Sequence, residues 1–322
     1  MKRRNLVAAA ALAIGALAVP AQAQDFKGKV INIVVAAPVG TATDVIARLV
    51  GGSMSATLGA SVVVDNKPGA GGLIAANYVK GAAANGLVVL FASASTVVIT
   101  PLTYKEARYD IDRDFETVGM IAETPMLLAS NPGKGPASLA AAVASVKAKP
   151  DSMTMGNPGI YSFPHLVAEV IDQLSGARFR QVGMGSATAG IQAVVNGDLD
   201  VMVEGVASLL PMVTAGRLKA LAVTAQRELP GLEGIPLAKD AVPDLVVTGW
   251  FTFFVPKGTP PALVNLLNSA TNTALHNPQV IAQLRTLGTY PIGGSVAEAK
   301  TFIKAEKVKW AAVVGKAGIK PQ

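Results

Sequence analysis

The chain contains no cysteine. Disulfides, thiolate-held metals and a cysteine nucleophile are therefore excluded, as is a lipid-modified cysteine behind an export signal. Histidine is almost as scarce, with only His165 and His276, on predicted helices far apart in sequence. No H-E-x-x-H or other metal-ligand spacing occurs, and no G-x-S-x-G elbow. Aromatic residues make up 5% of the chain and charged residues 15%. The basic residues are scattered, so the charged stripe with stacking rings that nucleic-acid binding requires is missing. Asp198 and Asp200 flank a turn and read as a solvated start to a strand rather than a catalytic pair. Beyond the N-terminus, no uncharged apolar run approaches the ~20 residues of a membrane-spanning helix.

What is present begins with an export pattern. Lys2, Arg3 and Arg4 precede the apolar run Leu6–Val19, and Ala21-Gln22-Ala23 supplies a small–x–small site. These predict a cleavable leader over 1–23, with cleavage before Gln24. The run is too short for an anchor. Removing 23 of the 322 residues leaves 299 and lowers the net charge from +7 to +4. A mildly basic surface suits an anionic small ligand, though such charge commonly serves only as a solvated surface. A chain of this length without disulfides must rely on core size, and it exceeds the usual single domain, so two lobes are expected.

Periodicity gives the organisation. Val30–Val35 is apolar at nearly every position, as a strand covered on both faces would be. Ile46, Val50, Met54 and Leu58 then recur every four residues on a helix that Thr43 or Asp44 can cap and Gly59 ends. Strands over 61–64 and 87–92 flank a helix over 73–80. The alternation predicts an α/β fold with a parallel sheet. After the turn at 131–136 the pattern resumes, with helices over 138–149, from 166 and up to Asn196, and strands over 152–155, 199–203 and 218–224. An aromatic strand, Trp250–Val255, precedes a mostly helical C-terminal stretch expected to cover the first lobe. Lobe crossings are placed near 125 and 248, giving lobe 1 as 24–125 with 248–322 and lobe 2 as 126–247.

Ligands in open α/β sheets bind at strand C-termini, where a loop entering a helix offers unpaired N–H groups and a positive dipole end. Two loops fit, Pro38–Asp44 and Gly156–His165. A small carboxylate could bridge them, or both could be ordinary capped helix starts. The run Gly69-Ala70-Gly71-Gly72 lacks G-x-G-x-x-G spacing and reads better as a tight turn that lets a helix approach the sheet than as a nucleotide loop.

Taken in order, several motifs resemble one family. They are Pro38 with Gly40 and Thr43-Asp44; Asn66-Lys67-Pro68-Gly69-Ala70-Gly71-Gly72; Asp114-Phe115 ahead of Val118; and Gly156-x-x-Gly159-x-x-Ser162-x-x-His165-Leu166. Gly197-Asp198-Leu199-Asp200, Leu218–Thr224, Trp250-Phe251 and Pro256–Pro261 follow. This order resembles the Bug receptors, the periplasmic solute-binding components of tripartite tricarboxylate transporters. The resemblance implies two Rossmann-like lobes joined by crossover strands, the type II periplasmic binding protein architecture, closing on a carboxylate. It implies no cofactor, no catalytic or metal-binding residues, a free monomer in the periplasm and an inner-membrane permease as partner. The ligand set it implies is Val39, Gly40, Thr41, Ala42, Thr43, Asp44 and Ser95 from the first lobe. From the second come Gly159, Tyr161, Ser162, His165, Met184, Ser186 and Glu204.

Several positions depart from the family pattern. Thr41 and Ala42 replace glycines, Met184-Gly185 replaces Tyr-Lys, Tyr161 replaces glycine and Glu204 replaces Asp. Asn85 and Leu87 replace the Asp and Tyr of a turn. Tyr161 and Met184 suggest a bulkier, more apolar pocket, suited to an aromatic or longer-chain monocarboxylate; alternatively Tyr161 points to solvent. His165 could donate to the ligand or pack beneath its loop. A receptor for a membrane sensor is an alternative function, and a secreted hydrolase or lyase is the rival from another class. Such an enzyme would have only His165, Asp44 and Glu204 to draw on.

Overall fold

A computed structural model describes residues 25–159 and 161–321; the expected leader lies outside the described residues. Strand β1 (Val30–Val35) sends Ile31, Ile33 and Val35 to one apolar layer and Val34 to the opposite one, which is why it is apolar at successive positions. Helix α1 (Ala42–Leu58) buries Ile46, Val50 and Met54 against the first layer, and Gly59 ends it in the left-handed conformation at φ 60°. Strand β2 (Ser61–Asn66), helix α2 (Leu73–Lys80) and strand β3 (Val88–Ser93) complete a parallel set in the order β2-β1-β3. A helical segment, Ser95–Thr103, follows directly.

Strand β4 (Phe115–Ser130) spans 16 residues and was not anticipated from sequence. Its mixed composition and the central Pro125 suggest a break, since proline cannot donate to a ladder. The chain continues through α3 (Leu139–Ala148), β5 (Thr154–Asn157), α4 (Phe163–Ser175), β6 (Arg180–Gly183), α5 (Ala187–Asn196), β7 (Val201–Gly205), α6 (Val206–Thr214) and β8 (Lys219–Val223). It ends with β9 (Thr248–Pro256), α7 (Pro261–Leu275), α8 (Pro278–Thr286), β10 (Tyr290–Pro291) and α9 (Val296–Lys316).

β4 changes partners along its length. Phe115–Pro125 pairs with β9, whereas Met126–Ser130 pairs with β7 and β8. The first sheet is β2-β1-β3-β9-β4 with β10 beyond β4; the second runs β8-β4-β7-β5-β6. Neither sheet is purely parallel, because β4 leaves the first lobe and β9 returns to it in the opposite direction. The buried Thr224 holds the two crossings together. Its hydroxyl accepts from Met126 N at 3.0 Å and donates to Val247 O at 2.5 Å.

The final helix spans more than the first lobe. α7 packs on α1, but α9 lies against both β4 and α4. Trp310 packs against Phe163 with ring centroids 5.2 Å apart and planes tilted by 57°, and Gln173 Nε2 donates to Val313 O at 3.1 Å. Beneath α9, the buried Glu306 accepts the indole N–H groups of Trp250 and Trp310, each at 2.9 Å, and Lys309 Nζ lies 3.1 Å from its other oxygen. Removing an acceptor from two buried donors leaves both unsatisfied, at about 1–3 kcal/mol each. Glu306→Ala is expected to lower unfolding free energy by about 3 kcal/mol in urea titrations, and Glu306→Gln, which keeps one carbonyl acceptor, by clearly less.

Candidate functional site

A cavity of about 260 Å³ opens between the lobes where β4 and β9 cross. Met126, Phe163, Trp250 and Phe251 form its apolar wall. Helix beginnings border it from both sides: Ala42 opens α1, Ser95 the 95–103 segment, Phe163 α4, and Ala207 and Ser208 lie in the first turn of α6. The first N–H groups of a helix have no partner within it, and its N-terminus is the positive end of the dipole. Some of these N–H groups are already used. Thr41 Oγ1 accepts from Asp44 N, and Ser162 Oγ from His165 N. Gly205 brings no side-chain cap to α6. Among the described residues, no lysine, arginine or histidine lines the cavity, and Glu204 is its only ionisable side chain. The arrangement suits an anion held by backbone N–H groups, with an apolar body against the aromatic wall.

The first-lobe loop is rigid because Asp44 braces it. Its carboxylate, 2% exposed, accepts from Arg48 Nε at 3.1 Å, Gly40 N at 2.9 Å and Asn66 Nδ2 at 2.9 Å. Asn66 Nδ2 also reaches Ala37 O at 2.9 Å, and its Oδ1 accepts from Arg48 Nη2. The hydrogen bond from Arg48, supported by those from Gly40 and Asn66, outweighs burial and holds the Asp44 pKa down at about 2. Asn66 thus ties the end of β2 to the loop after β1. The glycines that follow serve a different contact. Gly71 O accepts from Thr100 Oγ1 at 2.7 Å, and at Gly72, with φ 99°, a Cβ would lie 2.3 Å from Thr96 Oγ1. The turn lets the 95–103 segment pack closely, as expected for a packing turn rather than a phosphate cradle.

The model of the TctC family, described as the tripartite tricarboxylate transporter family receptor, matches residues 46–319. The chain belongs to this receptor family. BugT of Bordetella pertussis is 29% identical over 311 residues, covering 96% of this chain and 95% of BugT. Among solved structures, R. palustris Rpa4515 with adipate is 29% identical with a TM-score of 0.78, covering 92% of this chain and 100% of that one. MatC from Rhodopseudomonas palustris with bound malate is 27% identical with a TM-score of 0.72, covering 89% and 99%. The expected kinship with the Bug receptors and the two-lobed α/β architecture both hold.

Within this receptor, three of the residues expected at the site meet on the cavity lining: Ala42, Ser95 and Glu204. Val39, Gly40, Thr41 and Thr43 belong to the loop and first turn behind Ala42, with Val39 72% exposed, and Asp44 turns into that loop. Gly159 and Tyr161 lie in the turn before α4, off the lining. Tyr161 has φ 67°, a left-handed conformation that glycine adopts without steric cost, which explains why the residue is unusual there. Ser162 caps α4. His165 is buried; its Nε2 lies 3.7 Å from Glu169 Oε1, and burial lowers its pKa. Met184 packs beside Gly190 in the second lobe, and Ser186 caps α5. The apolar character therefore comes not from Tyr161 and Met184 but from the crossover strands and Phe163. Sequence reasoning missed this wall, although Trp250-Phe251 stood out as an aromatic strand.

The depressed pKa of Asp44 has a consequence for stability. The folded value of about 2 lies below the ordinary 3.8, which corresponds to about 2 kcal/mol. The contribution is complete above pH ~4 and is lost as the pH falls through about 2. Asp44→Asn is expected to destabilise by about 2 kcal/mol at pH 7, with the difference from wild type shrinking below pH ~4 and disappearing only below pH ~2 in acid-dependent urea titrations.

Proposed function

We propose that this receptor captures a small organic carboxylate in the inter-lobe cavity, without turnover, and delivers it to a membrane permease of the tripartite tricarboxylate type. The observation that carries the reading is the cavity itself, bordered by helix beginnings from both lobes and, among the described residues, free of cationic side chains. Backbone N–H groups would hold the carboxylate. Kinship with proteins solved with adipate and malate supports the ligand class. Among the described residues no helix is long and apolar enough to cross a membrane. The aromatic wall favours a ligand with an apolar body, an aromatic or longer-chain monocarboxylate, over citrate.

Thermal-shift and calorimetric titration tests this. A true ligand at a hundredfold excess over its Kd adds about 2.7 kcal/mol of apparent stability. Medium-chain and benzoate-type acids are expected to raise Tm and remain chemically unchanged afterwards, while citrate has no effect. Stabilisation by citrate alone would reject the apolar-ligand assignment, and conversion of a bound acid would reject the receptor reading. Ala42→Trp places a large ring at the exposed edge of the cavity. It is expected to weaken binding at least tenfold while changing stability by no more than about 0.5 kcal/mol, as for other surface substitutions.

A further inference from the structure

Glu204 is the penultimate residue of β7, on the cavity lining and two residues ahead of α6. One carboxylate oxygen, Oε1, accepts from Gly205 N at 2.7 Å. Among the described residues, no cationic side chain lies within ion-pair distance of Glu204, and burial raises its pKa against the lowering effect of the Gly205 N–H. Glu204 therefore brings an uncompensated acceptor to the cavity. It also sits at the positive end of α6 and offsets it. The other beginnings are not offset in this way, because the acid in the first turn of α1, Asp44, is neutralised by Arg48 and directed into its own loop.

The lining is consequently polarised. The first-lobe helix beginnings at Ala42 and Ser95 supply a positive end, Glu204 of the second lobe supplies an acidic one, and Met126 and Trp250 border the same space. A ligand anchored by a carboxylate at the positive end meets Glu204 with its far end. A second carboxylate there would face a like charge with no cation between them, which is strongly unfavourable in a partly desolvated site. A hydroxyl, amide or ammonium group would satisfy the free oxygen instead.

Building on the carboxylate-receptor reading above, we infer that Glu204 determines specificity at the far end of the ligand. This receptor takes a monocarboxylate whose apolar body ends in a hydrogen-bond donor, and it discriminates against dicarboxylates.

Two matched series test this by calorimetry at pH 7.5. One is hexanoate, 6-hydroxyhexanoate, 6-aminohexanoate and adipate. The other is 4-methylbenzoate, 4-(hydroxymethyl)benzoate, 4-(aminomethyl)benzoate and terephthalate. In at least one series the donor-ended acids are expected to bind about tenfold or more tighter than the methyl-ended acid, since hydrogen bonds to a charged group are the stronger kind. The dicarboxylate should bind most weakly. Glu204→Gln, whose amide can donate to a carboxylate, should gain about tenfold for the dicarboxylate and lose the preference for the amine. An unchanged Tm for the unliganded variant would show that the fold is intact.

Dicarboxylates binding as tightly as donor-ended acids in the wild type, or a ranking unchanged by Glu204→Gln, overturns the role of Glu204 and leaves the carboxylate receptor standing. Absence of binding by every acid in both series overturns both readings.

Discussion

Two backbone passages, Pro125–Met126 in β4 and Val247–Thr248 ahead of β9, carry the chain between the lobes, and the cleft depends on both. Each strand is fixed in the first sheet by its ladder with the other. Beyond the crossing, only β4 continues as a strand of the second sheet. The hydroxyl of Thr224 bonds to one passage at Met126 and the other at Val247, in a fully buried setting where each unmade bond would be costly. This concentrates any relative movement of the lobes into a few residues whose hydrogen bonds are already specified, as hinge motions require.

Apart from Phe163 of α4, the apolar wall of the cavity is made of the same strands. Trp250 and Phe251 come from β9 and Met126 from β4. A ligand touching them touches the crossing itself. Trp250 extends the connection further, because its indole N–H is fixed by Glu306 on α9, which also receives Trp310, the ring packed against Phe163 of the second lobe. The cavity wall and the brace across the lobes thus share side chains. A change in packing on the cavity side of Trp250 has to be absorbed by a close-packed core with few voids, and α9 is the element in direct contact.

Much of the architecture was readable from periodicity. β1, α1 and α2 follow from apolar spacing, and Gly59 and Gly176 mark helix ends where left-handed residues are observed. β4 was unreadable because a 16-residue strand serving two sheets has no single alternation, and Pro125 falls at its change of partner. The site was legible only where a loop carries it. Ala42 and Ser95 follow strand ends and Glu204 lies at the C-terminal end of β7, the positions where open sheets bind ligands. Met126, Trp250 and Phe251 lie inside strands, and no local pattern says that a strand interior will border a cleft. That information resides in the pairing of β4 with β9. Asp44 carried an ambiguous signal, since a helix-starting acid serves equally as a ligand contact or a loop brace. Arg48 four residues on and Asn66 across the sheet engage it as a loop brace.

Holding an anion with backbone groups rather than lysine or arginine also bears on release. A buried ion pair combines large attraction with a large desolvation cost, whereas N–H donors from two lobes act together only while those lobes stay close. In the proposed binding mode, parting the lobes would remove the donors of one side. Each hydrogen bond to a charged group is worth about 1.5–3 kcal/mol. Losing two would therefore weaken binding by about a hundredfold or more, at a factor of ten per 1.4 kcal/mol. Affinity would then be set by the degree of closure rather than by the anion alone. A receptor built this way can hold its cargo tightly when closed and surrender it when a partner stabilises the open form, with no change in the charge of any side chain.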